Sequence, residues 1–380
     1  MSHFNALVAI QLPENCMDPI AASEQELQNL AKLQEILRKN PSDFAAMFVL
    51  RTLQRKLNSL ENAAEQQVDL VLAPYCESTD DPKYLEFVDC EENESDRYEN
   101  GVIDCVRLPD GRIISQYASI FSRKYEVYEG LVYRRRFGQL HHRKRTKKAR
   151  RISLLPQYPI KRLFPTLESY LEEYCGHTYN EDEEAYGYYH NPNAYWDWYQ
   201  IGGRWPYRFL VKKDCPFIGG ERDLFLDDKE EAPAPEGYHW VAGARKGDIA
   251  WALMKQLYLE DAINAFRFYE DAFHNGVLPK ELGPFVHITE DGIFALNDLL
   301  YLKSETLDQY LARNGLAEED NYPISTFAYV SKDGWVGSGD MGWFGCSTND
   351  KDKLEWAGMV QEFINSRADN DWLISVDCHI

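Results

Sequence analysis

The hydrophobic and polar positions follow two different periods along this chain, which predicts both strands and helices. The opening segment SHFNALVAIQL, residues 2–12, is an apolar run typical of a strand in the middle of a sheet, and the closing segment WLISVDCHI, residues 372–380, predicts another strand. Residues 248–273 place apolar side chains at helical spacing and predict a long amphipathic helix. We therefore expect an α+β fold, with helices packed on a mainly antiparallel sheet that includes the first and last strands.

A helical hairpin is predicted over residues 23–62, inserted after the first strand. Ser23 and Glu26 have the spacing of a capping box at the start of its first helix. Residues 68–74, VDLVLAP, predict a short strand that ends at a proline, and residues 293–315 predict a further pair of helices. A Pro-rich surface loop is expected at residues 229–237. The length of 380 residues by itself allows two or three domains or one large one.

The most distinctive segment is NPNAYWDWYQIGGRW, residues 191–205. Its pattern predicts a strand that runs into a tight turn. Because side chains alternate along a strand, Trp196 and Trp198 are expected on one face and Asp197 and Tyr199 on the other. A ligand stacked on Trp196 and Trp198 is one interpretation, and a buried aromatic layer is the other.

Two adjacent glycines precede an arginine at the end of this segment. Gly202 and Gly203 allow a left-handed backbone or a close approach to a neighbour, and Arg204 follows at the strand end, where it could bind a carboxylate or phosphate. Asp197 and Arg204 are therefore candidate catalytic residues, with Gly202 and Gly203 as candidate ligand contacts. The alternative is a structural Asp–Arg pair.

A second glycine-aromatic cluster, GSGDMGWFG, covers residues 337–345. Asp340 and Trp343 in this cluster could join the first one, because glycine-rich turns beside tryptophan can hold a planar or phosphorylated ligand. Two tight turns that pack on each other would give the same pattern.

The two ends of the chain carry the candidate metal ligands. Asp377 and His379 are two residues apart on the last predicted strand, so their side chains share a face, and His3 lies in the first strand. If these strands are neighbours, the three side chains could bind a divalent metal ion, the one cofactor that the sequence suggests, or Asp377 and His379 could act as catalytic groups. The alternative is a frayed terminal strand with His379 exposed.

Composition restricts the class of protein. Hydrophobic residues make up 44% of the chain, enough for a core, while the net charge of −21 argues against a generic nucleic-acid coat. We expect no membrane span and no signal peptide, since no long apolar run is present. The eight cysteines form no C-x-x-C pair, which favours free thiols and a cytoplasmic location, in a host cell if the protein is encoded by a phage.

One segment reverses the acidic character of the chain. Residues 134–151, RRRFGQLHHRKRTKKARR, contain ten lysines and arginines. Such a segment could bind a nucleic acid or another polyanion, or could dock on the protein's own acidic surface. The candidate polyanion-binding residues are Arg143, Lys144, Arg145, Lys147, Lys148, Arg150 and Arg151.

Seven motifs in order resemble a family of phage and bacterial proteins for which no activity is established. They are MSHFNALVAI, LAPYCES, YENG with VRLPDGR, NPNAYWDWYQIGGRW, GARKGDIAW, GDMGWFG and VDCHI. The resemblance covers nearly the whole chain and implies one integrated unit. The helical hairpin at 23–62 and the basic segment at 134–151 depart from the family pattern.

Two hypotheses of function follow. The first is a hydrolase or phosphoesterase that acts on a nucleotide or nucleic acid, with Arg204 holding phosphate and Asp197, Asp377, His379 and His3 in acid–base or metal-ligand roles. The alternative is a non-enzymatic protein of phage type that sequesters a small ligand or blocks a host or defence protein, a counter-defence role.

Overall fold

The computed structural model describes residues 2–13, 16, 23–40, 43–135, 145–222, 233–278, 285–295, 298–316, 324–342 and 346–380. These residues form two compact units. Unit 1 comprises Met1–Thr79 and Asn193–Ile380, and unit 2 comprises Asp80–Pro192. The sequence-based expectation of one integrated unit placed no boundary after Thr79 or after Pro192. The fold is mixed α+β with mainly antiparallel sheets, as predicted.

The first part of unit 1 is a strand followed by helices. Its elements are β1 (His3–Ile10), α1 (Glu24–Lys39), α2 (Phe44–Leu57) and α3 (Ser59–Leu72). Ser23 caps α1 through a capping box with Glu26, as predicted. The predicted strand at 68–74 is wrong, because residues 68–72 complete α3 and a 3-10 turn, Ala73–Tyr75, follows. Its buried positions are Leu60, Ala64, Val68 and Leu72, four residues apart, so a helix buries them together.

Unit 2 is built from small antiparallel sheets and short helices. Its elements are β2 (Glu86–Asp89), α4 (Glu91–Asn100), β3 (Val102–Arg107), β4 (Ile113–Ser115), α5 (Ser119–Ser122), β5 (Tyr125–Tyr128), β6 (Leu131–Arg134), β7 (Ser153–Pro159), α6 (Ile160–Leu163), α7 (Leu167–Tyr170), β8 (Thr178–Asn180) and β9 (Ala185–His190). The strands pair in the orders β4-β3-β7, β2-β9-β8 and β5-β6.

The chain then returns to unit 1. The elements are β10 (Trp198–Gly203), β11 (Phe209–Lys212), β12 (Glu221–Arg222), β13 (Tyr238–Val241), β14 (Gly243–Arg245), α8 (Trp251–Asn275), β15 (Val286–Ile288), β16 (Gly292–Ala295), β17 (Asp298–Leu302), α9 (Leu307–Arg313), β18 (Ala328–Ser331), β19 (Gly334–Gly337), β20 (Asp340–Met341), β21 (Ser347–Thr348), α10 (Lys353–Asn365) and β22 (Trp372–His379). The helical pair predicted at 293–315 is wrong in its first half, where β16 and β17 form a hairpin around the pair Ile293 and Tyr301.

The central sheet of unit 1 has the order β12-β10-β22-β1-β18-β19, and β14 pairs with β22 beyond the end of β10. The first and last strands are antiparallel neighbours, with His3 opposite His379 and Ile10 opposite Trp372. Backbone hydrogen bonds between Ser2 and Ile380 continue the ladder to the end of the chain. The alternative of a frayed terminal strand is therefore wrong.

The two faces of this sheet differ. One face is apolar along its length and packs with α3, using alternate residues such as Phe4, Val8 and Val376. The opposite face is apolar only toward Leu7 and Leu373, where α8 and α10 cover it. Toward the start of β1 that face is polar, since Asn5, Ser375, Asp377 and His379 are all buried there. Buried polar groups need partners, so this half of the face is the place to look for chemistry.

No helix in the described ranges combines the length and the apolar character that a membrane crossing needs. All eight cysteines lie within these ranges, and none is in a disulfide.

Candidate functional site

Strand pairing brings both terminal histidines to one place. His3 and His379 are direct cross-strand partners, and their rings meet edge to face with centroids 4.9 Å apart. The sequence-based expectation that His3, Asp377 and His379 converge if the terminal strands are neighbours is confirmed.

Each imidazole is held by its own carboxylate. His3 Nδ1 lies 2.9 Å from Asp377 Oδ1, and His379 Nδ1 lies 2.6 Å from Asp197 Oδ1. A carboxylate on Nδ1 orients the ring and favours the tautomer with the proton on Nδ1. Within the described part of the chain, neither Nε2 has a hydrogen-bond partner, so both remain available to a ligand. We call the four residues His3, Asp377, His379 and Asp197 the histidine site.

The carboxylate of Asp197 is placed by the backbone. The backbone N–H of Asp197 donates to the carbonyl of His379 at 2.9 Å, which fixes Asp197 beside the His379 imidazole. Asp197 Oδ1 also accepts from the N–H of Trp198 at 2.7 Å. The expected Asp197–Arg204 pair is replaced by a pair between Asp197 and His379, which a reading of the 191–205 segment alone could not find.

Asp377 is the buried carboxylate of the site, with only 1% of its side chain exposed. Burial raises the pKa of Asp377 above its usual value, while the hydrogen bonds from His3 and from the backbone N–H of Arg204 oppose that rise. The N–H of Arg204 donates to Asp377 Oδ2 at 3.0 Å, and the charge of the exposed Arg204 side chain also acts on this carboxylate. A positive group therefore acts on the carboxylate that holds His3.

The glycine pair makes that contact sterically possible. Gly202 and Gly203 have φ values of 83° and 52°, in the left-handed region that glycine adopts easily. A Cβ on Gly203 would lie 2.4 Å from the side chain of Asp377. Only a residue without a side chain allows the backbone to reach Asp377 here.

Trp198 forms an aromatic wall of the site and is 43% exposed. It stacks on His379 with centroids 5.1 Å apart and meets His3 edge to face at 5.4 Å. The prediction that Trp196 shares this face is wrong, because β10 begins only at Trp198. Trp196 is instead buried in the core on the other face, where its Nε1 donates to the carbonyl of Leu72.

The second glycine cluster reaches the site only through its backbone in the described residues. The side chain of Ser2, the residue before His3, donates from Oγ to the carbonyl of Gly342 at 2.6 Å. Asp340 is exposed and accepts a hydrogen bond from Asn349 at 2.7 Å. Trp343 lies outside the described residues.

The metal hypothesis gains no support from this geometry. Among the residues that the structure describes, no group of three or more His, Cys, Asp or Glu side chains is arranged to hold a metal ion. Both Nδ1 atoms are occupied by carboxylates, which leaves the two Nε2 atoms as the groups that can exchange a proton or contact a ligand.

Two polar residues beneath the site were not anticipated. Asn5 Nδ2 donates to Ser375 Oγ at 2.8 Å, and Ser375 Oγ donates to the carbonyl of Trp205 at 3.0 Å. The signal was available, because residues 3 and 5 and residues 375, 377 and 379 are polar at every second position of apolar strands. This row fixes β1, β22 and the chain after Arg204 to one another.

The described residues of the basic segment at 134–151 lie in unit 2. Arg145, Lys147, Lys148, Arg150 and Arg151 are exposed. Arg143 and Lys144 lie outside the described residues, as do residues 229–232 of the predicted Pro-rich loop.

The pKa of Asp377 gives a pH prediction. Because its folded pKa is raised, the folded state binds the proton more tightly than the unfolded state does. The stabilisation is complete below the ordinary aspartate pKa and is lost as pH rises through the folded pKa. We expect wild type to lose unfolding free energy relative to Asp377→Asn as pH rises above the ordinary aspartate pKa of about 4. Denaturant titrations of both proteins measure this difference, with the exposed Asp340→Asn as control. A difference that is flat with pH, or that has the opposite slope, would contradict the pKa assignment.

Comparisons with protein-family models, curated proteins and solved structures found no match. The resemblance described above therefore stands on its motifs, and the function must be argued from the histidine site itself.

Proposed function

We propose that this protein is a hydrolase that cleaves phosphoesters of a nucleotide or nucleic acid by acid–base catalysis at the histidine site. The observation that carries the proposal is the adjacency of two imidazoles, 4.9 Å apart, each held at Nδ1 by a separate carboxylate. Oriented imidazoles are the commonest general acids and bases in proteins, and two of them can serve both halves of one reaction.

The chemistry needs opposite roles for the two rings. One neutral imidazole takes the proton from the attacking water or hydroxyl, and the other, protonated, gives a proton to the oxygen that leaves phosphorus. The carboxylates of Asp377 and Asp197 stabilise the imidazolium that forms at each ring. Either histidine can take either role in this scheme, because each imidazole has a carboxylate on its Nδ1.

Two further groups suit a nucleotide. Arg204 places a positive charge beside Asp377, where a guanidinium can hold phosphate oxygens through two hydrogen bonds. Trp198 offers a partly exposed ring next to both imidazoles, and aromatic rings of this kind stack on bases. These features favour a nucleotide over a simple phosphate ester.

The test is a substrate panel in the presence of EDTA. Bis-p-nitrophenyl phosphate, p-nitrophenyl phosphate, cyclic nucleotides and single-stranded RNA and DNA cover diesters and monoesters. We expect turnover of at least one diester that EDTA does not remove. Turnover that depends on an added divalent ion would revive the metal hypothesis, and the absence of turnover across the panel would favour a binding protein.

The cytoplasm is the compartment that we propose, since none of the cysteines is in a disulfide.

The exposed basic residues of unit 2 support a second proposal, that this segment binds the phosphate backbone of a nucleic acid. Replacing Lys147 and Lys148 by glutamine is expected to weaken single-stranded DNA binding and to lower the salt slope of log K by roughly 0.7 for each contact removed. Fluorescence anisotropy at several salt concentrations measures the slope. The matched control replaces the exposed Lys212 and Lys213 of unit 1. Equal slopes for the two double variants would exclude Lys147 and Lys148 as contacts.

A further inference from the structure

A half-buried arginine elsewhere in unit 1, Arg208, has no role in the histidine site. The Nε of Arg208 is sealed from solvent and has no hydrogen-bond partner. Within the described residues, its guanidinium forms no ion pair, and burial lowers the pKa of this group. A cation that is partly withdrawn from solvent and has no anion beside it is costly, and chains normally pair such a group.

Arg208 borders a cavity of about 270 Å³. The walls come from α8, the end of α9, the segment before β18 and α10. Tyr258 and Trp356 line it with aromatic rings, and Asn314 and Gln361 add side-chain amides. Trp356 is held in place, because its Nε1 donates to the carbonyl of Thr326 at 2.7 Å.

The described charged residues that line the cavity are both positive. Lys353, an exposed residue at the start of α10, also lines it, and no Asp or Glu is among the described residues that do so. In a chain with a net charge of −21, a cavity whose described lining carries two cations and no acid is unusual. A guanidinium binds carboxylate and phosphate oxygens through paired hydrogen bonds, and flat rings suit a planar body.

We propose that this cavity binds a small organic anion, with its carboxylate or phosphate on Arg208 and its planar apolar body between Tyr258 and Trp356. The site is a ligand site separate from the phosphoester chemistry proposed above. The ligand supplies the negative charge that the half-buried guanidinium otherwise lacks.

The test uses benzoate and phenyl phosphate as probes of the two head groups, with benzamide as the neutral analogue. Isothermal titration calorimetry on the full chain is expected to show that one or both anions bind and that benzamide binds at least about tenfold more weakly, the loss expected for a charge-assisted hydrogen bond. The anion preferred identifies the head group. Binding of neither anion at millimolar concentration, or equal binding of benzamide, would overturn the proposal.

Two variants locate the binding. Arg208→Met removes the charge and keeps an unbranched apolar side chain, and we expect affinity for the anion to fall at least about tenfold. If that variant does not fold, Ala357→Phe fills part of the cavity from an exposed position of α10 and leaves residue 208 as arginine. Anion binding that survives Ala357→Phe, or that survives Arg208→Met in a folded protein, would place the ligand elsewhere. Phosphodiester turnover is expected to remain unchanged in Arg208→Met, so failure here is separable from failure of the proposed function.

Discussion

Replacing His379 or His3 by glutamine is expected to lower phosphodiester turnover by about 10²- to 10⁴-fold, the usual contribution of a general acid or base. Glutamine keeps a polar side chain that can still approach the carboxylate but cannot exchange a proton near neutral pH. The double variant is expected to lose little more than either single variant, because acid and base act in one step. Steady-state kinetics with the best substrate of the panel measures these effects.

The matched control for this prediction is His287→Gln. His287 is exposed on β15 of the same unit, and its side chain contacts Phe294 rather than a carboxylate. Circular dichroism and a thermal melt show whether each variant folds. If folded His379→Gln and His3→Gln both keep wild-type turnover, the histidine site is not the catalytic centre.

Replacing Gly203 by alanine is expected to lower the free energy of unfolding by roughly 3 kcal/mol or more. Two costs combine, a left-handed backbone at φ 52° and a Cβ only 2.4 Å from Asp377. Because Asp377 must move, the hydrogen bond to His3 is disturbed, and turnover is expected to fall as well. Denaturant unfolding and the diesterase assay give the two readouts.

Gly276→Ala is the control for backbone strain alone. Gly276 has a similar φ of 64°, and a Cβ there would meet nothing within 4 Å. We expect a cost of about 1 kcal/mol at Gly276, the usual penalty for a left-handed residue with a side chain. Equal costs at the two positions would show that the contact between Gly203 and Asp377 does not hold the site together.

The convergence of the terminal residues could be predicted from the sequence because strand alternation is a strong rule. Asp377 and His379 had to share a face, and the apolar runs at both ends marked two central strands. The convergence was predicted only on the condition that these two strands are neighbours, because no local sequence pattern specifies which strands pair. The structure supplies it through the register that sets His3 opposite His379.

Other features of the site depended on tertiary contacts. Asp197 pairs with His379, 182 residues away, so its partner could not be found within its own segment. The alternation expected for Trp196 and Trp198 failed because the strand starts at Trp198, so Trp196 lies outside the segment in which side chains alternate. Arg208 gave no signal at all, since burial of a single arginine is a property of the packed chain.

Errors in secondary structure had a common cause. VDLVLAP and the segment from Ile293 are short apolar runs, in which strand and helix place similar residues. In the first segment, Val68 and Leu72 continue the four-residue spacing that begins at Leu60 and Ala64, and this spacing favours a helix. In the second, cross-strand packing of Ile293 on Tyr301 decides for a hairpin.

The central claim is that two carboxylate-held imidazoles act together as acid and base. The pH dependence of kcat/KM for phosphodiester cleavage, measured in EDTA, tests it most directly. One ring must be neutral and the other protonated, so the account predicts a bell-shaped profile with a limb on each side, and loss of one limb in His3→Gln and of the other in His379→Gln. A profile that rises through a single limb in wild type, or one that keeps both limbs in the two variants, would contradict the account.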